Sequence, residues 1–368
     1  MPPVWKIKRE LSRVVEQLHG IYEIATHPIR QLWIDKKSDK AMRFTQGVQY
    51  QSNISPEKIV IYLIYQPNGI TNSVETTCKH FLTKGYAVLL IANHPISEND
   101  KSKLSPFVWR FVTRKNHGYD FGGYKDGIRL LWRWEITPSQ LVIVNDSIWF
   151  PLYPNCDLIE RMEHSNAQFV GAKRHTLANI PDAEFEGFFE SYFFLIKILV
   201  WQSNTFIEYW KNYISTSNKY LTVRRGERGF SSTIFRSKIA SEGIYSRDRF
   251  MEIMSQQEAE ILRKTLYYGA YTEEEFETQS QQLIKDFKND GAWREAALQL
   301  IRDVTNRRNF VSSFCYPCVG ILKIYLMKKN RGQLQLRMRR KYVLAVHNGD
   351  LSMPDSATFQ EILSSIED

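Results

Sequence analysis

The chain has 368 residues, of which 43% are hydrophobic and 24% are charged. This composition excludes wholesale disorder, and 18 glycines with 13 prolines exclude a collagen-like or low-complexity chain. Because 49 basic residues oppose 40 acidic ones, the formal net charge is +9, and the length is enough for about two domains, or one large domain with appendages.

Residues 1–50 are predicted to form a basic amphipathic helical arm. Ile7, Leu11, Val14 and Leu18 recur at helical spacing, with lysines and arginines between them. Such a helix either packs on the core or rests on an anionic membrane surface. The first residues lack the apolar run of a secretory signal, and four cysteines make no disulfide framework. We therefore expect a cytoplasmic protein without a transmembrane helix, peripheral on the inner face of the plasma membrane if its basic segments bind lipid.

The next part of the chain alternates predicted strands with predicted helices. Strands are expected at 59–65, 86–91, 109–113 and 140–144, and helices at 73–84 and 124–134. This alternation is typical of a parallel sheet flanked by helices, in which ligands bind beyond the carboxyl ends of the strands. We assign residues 51–250 to this α/β domain.

Residues 251–368 are predicted to form a helical, basic C-terminal extension. Helical patterns cover 251–268 and 272–288, whereas 334–339 fits a strand or a helix equally well. The window 300–345 holds eleven basic residues against one acidic residue. It is open to three interpretations: an anionic membrane surface, an ordinary solvated face, or a nucleic-acid site. The membrane surface and the solvated face both stay open, and we expect no nucleic acid. Cys315 and Cys318 have C-x-x-C spacing but no further close ligands, so we interpret them as ordinary thiols.

Three polar segments carry the residue types that a ligand site needs. The segment 114–127 is rich in glycine, which is typical of a backbone that approaches a ligand closely or of a tight turn into a helix. Asn145-Asp146-Ser147 follows the fourth strand, and its carboxylate suits a ribose hydroxyl, a divalent metal or a helix N-cap. In 224–229, Glu227 stands among three arginines that favour its ionised form, either as a general base at a helix N-terminus or in a surface salt-bridge loop.

The segments RKNHGYDFGGYKDG, LVIVNDSIWFPL and ESYFFLIK resemble the rhamnan synthesis F family of bacterial polysaccharide rhamnosyltransferases, and their order resembles that of GT-A glycosyltransferases. The resemblance covers residues 58–245. It implies a GT-A-like (Rossmann-like) α/β fold with a mostly parallel sheet. It also implies an inverting transfer of L-rhamnose from dTDP-L-rhamnose onto a lipid-linked or growing cell-surface polysaccharide, such as an O-antigen. Two alternatives are a different nucleotide-sugar donor and a non-catalytic basic protein that binds lipid or nucleic acid.

The resemblance also implies roles for individual residues. Glu227 would be the catalytic base, with Glu190 as the competing candidate. Asp146 would take the place of the metal-binding or ribose-binding Asp-x-Asp. Because Asn145-Asp146-Ser147 contains one acid only, transfer with Mg²⁺ or Mn²⁺ and transfer without metal both stay open. The residues expected to bind the donor are Asn116, Gly118, Asp120, Asn145, Asp146, Ser147, Arg224, Arg225 and Arg228.

Overall fold

A computed structural model of the chain describes residues 4–46, 56–175 and 187–367. The strands are β1 Arg43–Gln46, β2 Lys58–Ile64, β3 Ala87–Ala92, β4 Arg110–Thr113, β5 Gln140–Asn145, β6 Ile148–Trp149, β7 Phe169–His175, β8 Phe188–Phe189, β9 Phe193–Lys197, β10 Ser241–Tyr245 and β11 Met327–Lys328. The helices in the first half are α1 Val4–Ala41, α2 Asn72–Thr83, α3 Glu98–Leu104, α4 Tyr119–Arg133, α5 Leu158–His164, α6 Ile198–Trp201 and α7 Asn204–Asn212. They are followed by α8 Lys219–Thr222, a π-helical turn Val223–Arg228, α9 Gly229–Arg236, α10 Arg247–Ser255, α11 Ala259–Tyr267, α12 Glu274–Lys285, α13 Gly291–Arg307, α14 Phe310–Ser313, α15 Cys315–Gly320, α16 Gln333–His347 and α17 Ser356–Glu367.

The central sheet has the strand order β1-β4-β3-β2-β5-β9-β7-β10, and β8 pairs with β7. Strands β4, β3, β2 and β5 run parallel to one another, as do β7 and β10. Strand β9 lies antiparallel between β5 and β7, so β7 points in the same direction as β5. The expected α/β class with a mostly parallel sheet is therefore confirmed, and the carboxyl ends of β2, β3, β4, β5 and β7 share one edge.

Side chains of successive strand residues alternate between two apolar cores. In β2, Ile59, Ile61 and Leu63 face the core that contains α4, α6, α7 and α9. Val60, Tyr62 and Ile64 face the other core, which contains α2, α5 and the C-terminal helices. A strand buried on both faces is apolar throughout, which is why its sequence was detectable as a continuous run.

Helix α4 packs very closely on the sheet, and its glycines make that contact possible. A Cβ atom on Gly123 would lie 2.4 Å from Leu63 Cδ1, and one on Gly127 would lie 2.6 Å from Ile91 Cδ1. On Gly122 it would lie 2.1 Å from the His117 carbonyl oxygen. Of the two interpretations of this segment, the structure favours the close turn and packing for Gly122, Gly123 and Gly127, whose missing side chains make room for the fold itself.

Several expected elements have different bounds in the structure. The N-terminal arm is one 38-residue helix, α1. The helix expected at 251–268 is two helices, α10 and α11, separated by a turn after Ser255. The ambiguous segment 334–339 is helical, as part of α16. Within the described ranges, no helix combines the length and the hydropathy that crossing a membrane requires.

The C-terminal helices share a core with the sheet. Buried side chains of α10 to α17 join the apolar cluster that includes β2 and α2. Strand β11 pairs antiparallel with β6, with Met327 opposite Trp149 and Lys328 opposite Ile148. The C-terminal part of the chain therefore reaches the sheet edge described above. The domain bounds at residues 50 and 250 stay predictions.

Candidate functional site

The candidate site lies at the edge of the sheet where β2, β3, β4 and β5 end. The chain leaves β5 through Asn145-Asp146-Ser147, and the backbone N–H of Asp146 donates to the Leu63 carbonyl at 3.0 Å. The Asp146 carboxylate accepts the backbone N–H of Tyr65 at 2.9 Å. These two bonds tie Asp146 to the end of β2, so its carboxylate has a fixed position at the edge.

Burial raises the pKa of the Asp146 carboxyl, while the nearby charge of Lys329 opposes that shift. His94, which follows β3, lies close enough to act on the same carboxyl. Its Nδ1 accepts the backbone N–H of Gln66 at 3.3 Å, and burial lowers the pKa of its ring. His94 was not detectable from sequence, because only the sheet order places the ends of β3 and β5 on either side of β2.

Asn145 joins Asp146 to the start of α4. Its Nδ2 donates to Asp120 Oδ2 at 2.9 Å, and its Oδ1 accepts the backbone N–H of Ser147 at 3.1 Å. The pKa of Asp120 is raised to about 6. Burial is the main cause, and the negative charges of Asp146 and Glu227 add to it. Asp120, Asp146 and Glu227 therefore form one electrostatically linked group, which we call the acidic cluster.

Glu227 lies in the π-helical turn Val223–Arg228, within a continuous helical stretch from α8 to α9. It is therefore not at a helix N-terminus, contrary to the expectation from sequence. Its Oε2 accepts the backbone N–H of Ser191 at 2.9 Å and the Ser191 hydroxyl at 2.8 Å. π-helical turns often occur at functional sites, because they turn a side chain out of the regular helical path.

The pKa of Glu227 is raised, chiefly by burial, with the charge of Glu190 adding to the shift against the hydrogen bonds from Ser191. The expectation that the flanking arginines hold it ionised is wrong. Arg225 instead pairs with Glu23 of α1 at 2.6 Å, and Arg228 lies over the Phe188 ring at 5.6 Å from its centroid. Arg224 is exposed.

Glu190 is 3% exposed and lies between two lysines. Lys173 Nζ is 2.7 Å from its Oε1, Lys328 Nζ pairs with its Oε2, and Asn309 Nδ2 donates to Oε1 at 3.2 Å. Burial by itself would raise the pKa of Glu190, but the charges of Lys173 and Lys328 outweigh it and lower the pKa to about 2. Glu190 is therefore the centre of a buried ion-pair group.

Lys329, in the C-terminal part of the chain, places its ammonium group near Asp146. Its backbone N–H donates to the Ser147 carbonyl at 2.8 Å, and its Nζ donates to Ser73 Oγ at 2.9 Å. Glu361 is its nearest acidic partner, at 3.9 Å. Lys328 and Lys329 were visible in the sequence only as members of the basic window 300–345, because the pairing of β11 with β6 is not a local property of the sequence.

Other cations of the window 300–345 also bind within the protein. Arg308 Nε donates to Glu273 at 2.6 Å, Arg337 Nη1 donates to Glu277 at 2.9 Å, and Arg339 is fully buried beside the Lys328 and Asn330 carbonyls. The interpretation of this window as a membrane surface stays a prediction.

The residues expected to bind the donor do not all lie together in the structure. Asp120, Asn145, Asp146 and Ser147 lie together. Gly118 adopts a φ of +80° at the N-cap of α4, two residues before Asp120. Asn116 lines a cavity of about 420 Å³ between the 114–117 loop and α1. Among the described residues, no hydrogen bond or ion pair joins Arg224, Arg225 or Arg228 to the acidic cluster.

The segment that carries the site matches a known family. Residues 88–244 fit one protein-family model. That family is Rhamnan synthesis protein F. The match confirms the resemblance found in the sequence, and the matched range includes the acidic cluster and Glu190. The Rhamnan synthesis protein F match supports a glycosyltransferase as the class of enzyme.

Individual proteins give further similarities. Uncharacterized protein y4gN of Sinorhizobium fredii (strain NBRC 101917 / NGR234) is 27% identical over 366 residues, which are 98% of this chain and 91% of that protein. Among solved structures, the glycosyltransferase GlyE of Streptococcus pneumoniae TIGR4 is similar at 13% identity and a TM-score of 0.33, and its apo form at 13% and 0.29. Both alignments cover 68% of this chain and 64% of the solved chain, which is just under two thirds of its length. A likeness of this size does not establish a shared function.

The raised pKa of Asp120 predicts a pH-dependent effect of Asp120→Asn. A carboxyl whose pKa is about 6 in the folded state and about 4 in the unfolded state lowers the free energy of unfolding as pH rises from about 4 to about 6. Replacing it with Asn removes the cost. Relative to the wild type, we expect Asp120→Asn to gain about 2 kcal/mol in the free energy of unfolding between about pH 4 and pH 7. Urea unfolding at a series of pH values measures this difference.

The matched control is Asp248→Asn, at an exposed position on α10. A difference between Asp120→Asn and the wild type that stays flat across the pH range, or that falls as pH rises, would contradict the raised pKa of Asp120.

Proposed function

We propose that the chain is a glycosyltransferase that transfers L-rhamnose from dTDP-L-rhamnose to a lipid-linked or growing cell-surface polysaccharide. The observation that carries the proposal is the acidic cluster at the carboxyl edge of the sheet, with Lys328 and Lys329 beside it. The class of enzyme is supported by the family match to residues 88–244. The donor sugar rests on the sequence resemblance alone.

In this proposal Glu227 is the catalytic base. The acceptor hydroxyl must lose a proton as its oxygen attacks the anomeric carbon, and a base works best when its pKa is near the working pH. Burial shifts the pKa of Glu227 in that direction. Glu190, with a pKa of about 2, is a much weaker base. We therefore propose Glu190 as a positioning residue that holds Lys328 near Glu227. One displacement with Glu227 on the acceptor side inverts the anomeric configuration.

Asp146, Asn145 and Ser147 are proposed to bind the donor, with Asp120 holding the Asn145 amide in place. Asn116 and Gly118 would contribute the loop that precedes α4. The breaking bond to the nucleoside diphosphate leaves negative charge on the phosphate, and cations stabilise that charge. Arg225 is already paired with Glu23, so we propose Lys329 as the main cation for the leaving group.

The side chains at this edge are a poor match for a divalent metal. Mg²⁺ at a phosphate-binding site is held by one or two free carboxylates together with the substrate phosphates. The Asp146 carboxylate already accepts an N–H and has Lys329 nearby. We therefore propose a transfer in which no step depends on Mg²⁺ or Mn²⁺.

Glu227→Gln tests the assignment of the base. Its amide keeps the shape of the side chain but takes up no proton, so we expect the rate of dTDP release from dTDP-L-rhamnose with acceptor to fall at least about 100-fold. The dissociation constant of the donor, measured by calorimetry, should change no more than a few fold. Glu275→Gln, at an exposed position on α12, is the control and should keep full turnover. Full turnover in Glu227→Gln would make Glu190 the first choice for the base.

Lys329→Gln tests the role of the cation. A lost charge-assisted contact costs about 1.5–3 kcal/mol, so the dissociation constant of dTDP should rise roughly 10- to 100-fold. Lys288→Gln removes the same charge at an exposed position and should leave binding unchanged.

Each protein is titrated with dTDP before and after adding Mn²⁺, and its thermal midpoint is recorded to check the fold. Unchanged dTDP affinity in Lys329→Gln would exclude Lys329 from the donor site, and wild-type binding that requires Mn²⁺ would contradict the metal-free proposal. Tight binding of UDP or GDP in place of dTDP would identify a different donor.

A further inference from the structure

Helix α1 lies against the α/β body by its polar side. Glu23 Oε2 is 2.6 Å from Arg225 Nη1, and Glu23 Oε1 accepts the Thr216 hydroxyl at 2.8 Å. Further along, Asp35 and Asp39 pair with Arg129 of α4 at 3.5 and 3.2 Å. Acidic side chains that face the body fix which side of the helix faces outward.

The outward side of α1 is apolar. Gly20 and Gln31 are buried against the body, and residues two positions away lie on the opposite side of a helix with 3.6 residues per turn. Leu18 and Tyr22 flank Gly20 in this way, and Ile29 and Trp33 flank Gln31. Eight large apolar side chains of α1 are between 51% and 82% exposed: Val14, Val15, Leu18, Ile21, Tyr22, Ile29, Leu32 and Trp33. An amphipathic helix of a globular protein normally buries this side, so α1 is oriented the opposite way.

Exposed cations continue the same surface toward the end of the helix. Lys36, Lys37 and Lys40 are exposed, and Lys37 Nζ lies 4.7 Å from the centroid of the Trp33 ring. Trp33 and Lys37 also border the cavity beside Asn116, so they lie at the edge of the outward face. The described acidic residues of α1 all bind groups of the body or of the helix itself, as given above. The outward face therefore combines apolar and aromatic side chains with positive charge.

We propose that this outward face of α1 binds the surface of an anionic lipid bilayer. A helix with one apolar face and lysines beside it lies in the headgroup region, with its apolar side chains toward the acyl chains and its cations among anionic headgroups. Tyr22 and Trp33 are the residue types that concentrate at that depth, since their rings are apolar and their edges are polar.

Charge favours lipid over a second copy of the chain. A parallel pairing of two α1 helices would bring Lys36, Lys37 and Lys40 of both copies together, and like charges repel. Val15, Leu18, Tyr22, Ile29 and Leu32 follow the spacing of a coiled-coil seam, but Val14, Ile21 and Trp33 beside them make the apolar face wider than the seam of a two-stranded coiled coil. The proposal is independent of the proposed transfer activity.

The experiment is vesicle flotation of the full chain, with phosphatidylcholine vesicles that either contain or lack phosphatidylglycerol. We expect the wild type to float with the anionic vesicles and to bind them at least tenfold more tightly than neutral ones, with weaker binding at high salt. The double variant Leu18→Glu, Leu32→Glu should lose at least tenfold in binding. The triple variant Lys36→Gln, Lys37→Gln, Lys40→Gln should lose binding to anionic vesicles by about fivefold per lysine.

Leu199→Glu on α6 is the matched control, because Leu199 is 64% exposed and Leu18 and Leu32 are 61% and 68% exposed. Circular dichroism checks that each variant folds, which we expect because the replaced side chains are exposed. The proposal would be overturned if the wild type bound neutral and anionic vesicles equally, or bound neither. It would also be overturned if Leu199→Glu lost as much binding as Leu18→Glu, Leu32→Glu. Sedimentation without lipid gives a further test: a dimer that Leu18→Glu, Leu32→Glu dissociates would assign the face to a second copy.

Discussion

The ion pairs of Glu190 connect two neighbouring strands of the sheet to a strand that is far away in sequence. Glu190 follows β8, Lys173 belongs to β7, and Lys328 belongs to β11. An ionised group inside a protein needs its partners, because removal of one leaves an uncompensated charge that costs about 3–5 kcal/mol. The position of β11 beside the sheet edge is therefore fixed by charge as well as by its pairing with β6.

Two features of the candidate site depend on this arrangement. Lys329 follows Lys328 directly and thereby reaches Asp146, and Ser191 follows Glu190 directly and bonds Glu227. As a result, Glu190 and the three carboxylates of the acidic cluster have different environments. Lys173 and Lys328 lower the pKa of Glu190, whereas burial raises the pKa of Asp120, Asp146 and Glu227. Carboxylates whose environments shift their pKa values apart are suited to different roles.

Sequence was sufficient for the features that arise from local patterns. Strands β2, β3 and β5 are continuous apolar runs, and Asp120, Asn145 and Asp146 follow strands whose ends share an edge, so their proximity could be expected. Sequence was insufficient for features whose position depends on a distant segment of the chain. Strand β10 is a partly exposed edge strand with a mixed sequence, and Lys329 reaches the site only through β11. The arginines beside Glu227 point elsewhere, because adjacency in sequence does not fix the direction of a side chain on a π-helical turn.

The most direct test of the account is a thermal-shift titration of the purified chain with dTDP, UDP and GDP, each with and without Mn²⁺. A ligand present at about 100 times its dissociation constant stabilises the folded state by about 2.7 kcal/mol, which is visible as a higher melting temperature. We expect a shift in melting temperature with dTDP that Mn²⁺ does not change, and smaller shifts with UDP and GDP. No shift with any of the three nucleotides, in the presence of acceptor as well as in its absence, would contradict a nucleotide-sugar site at this edge of the sheet.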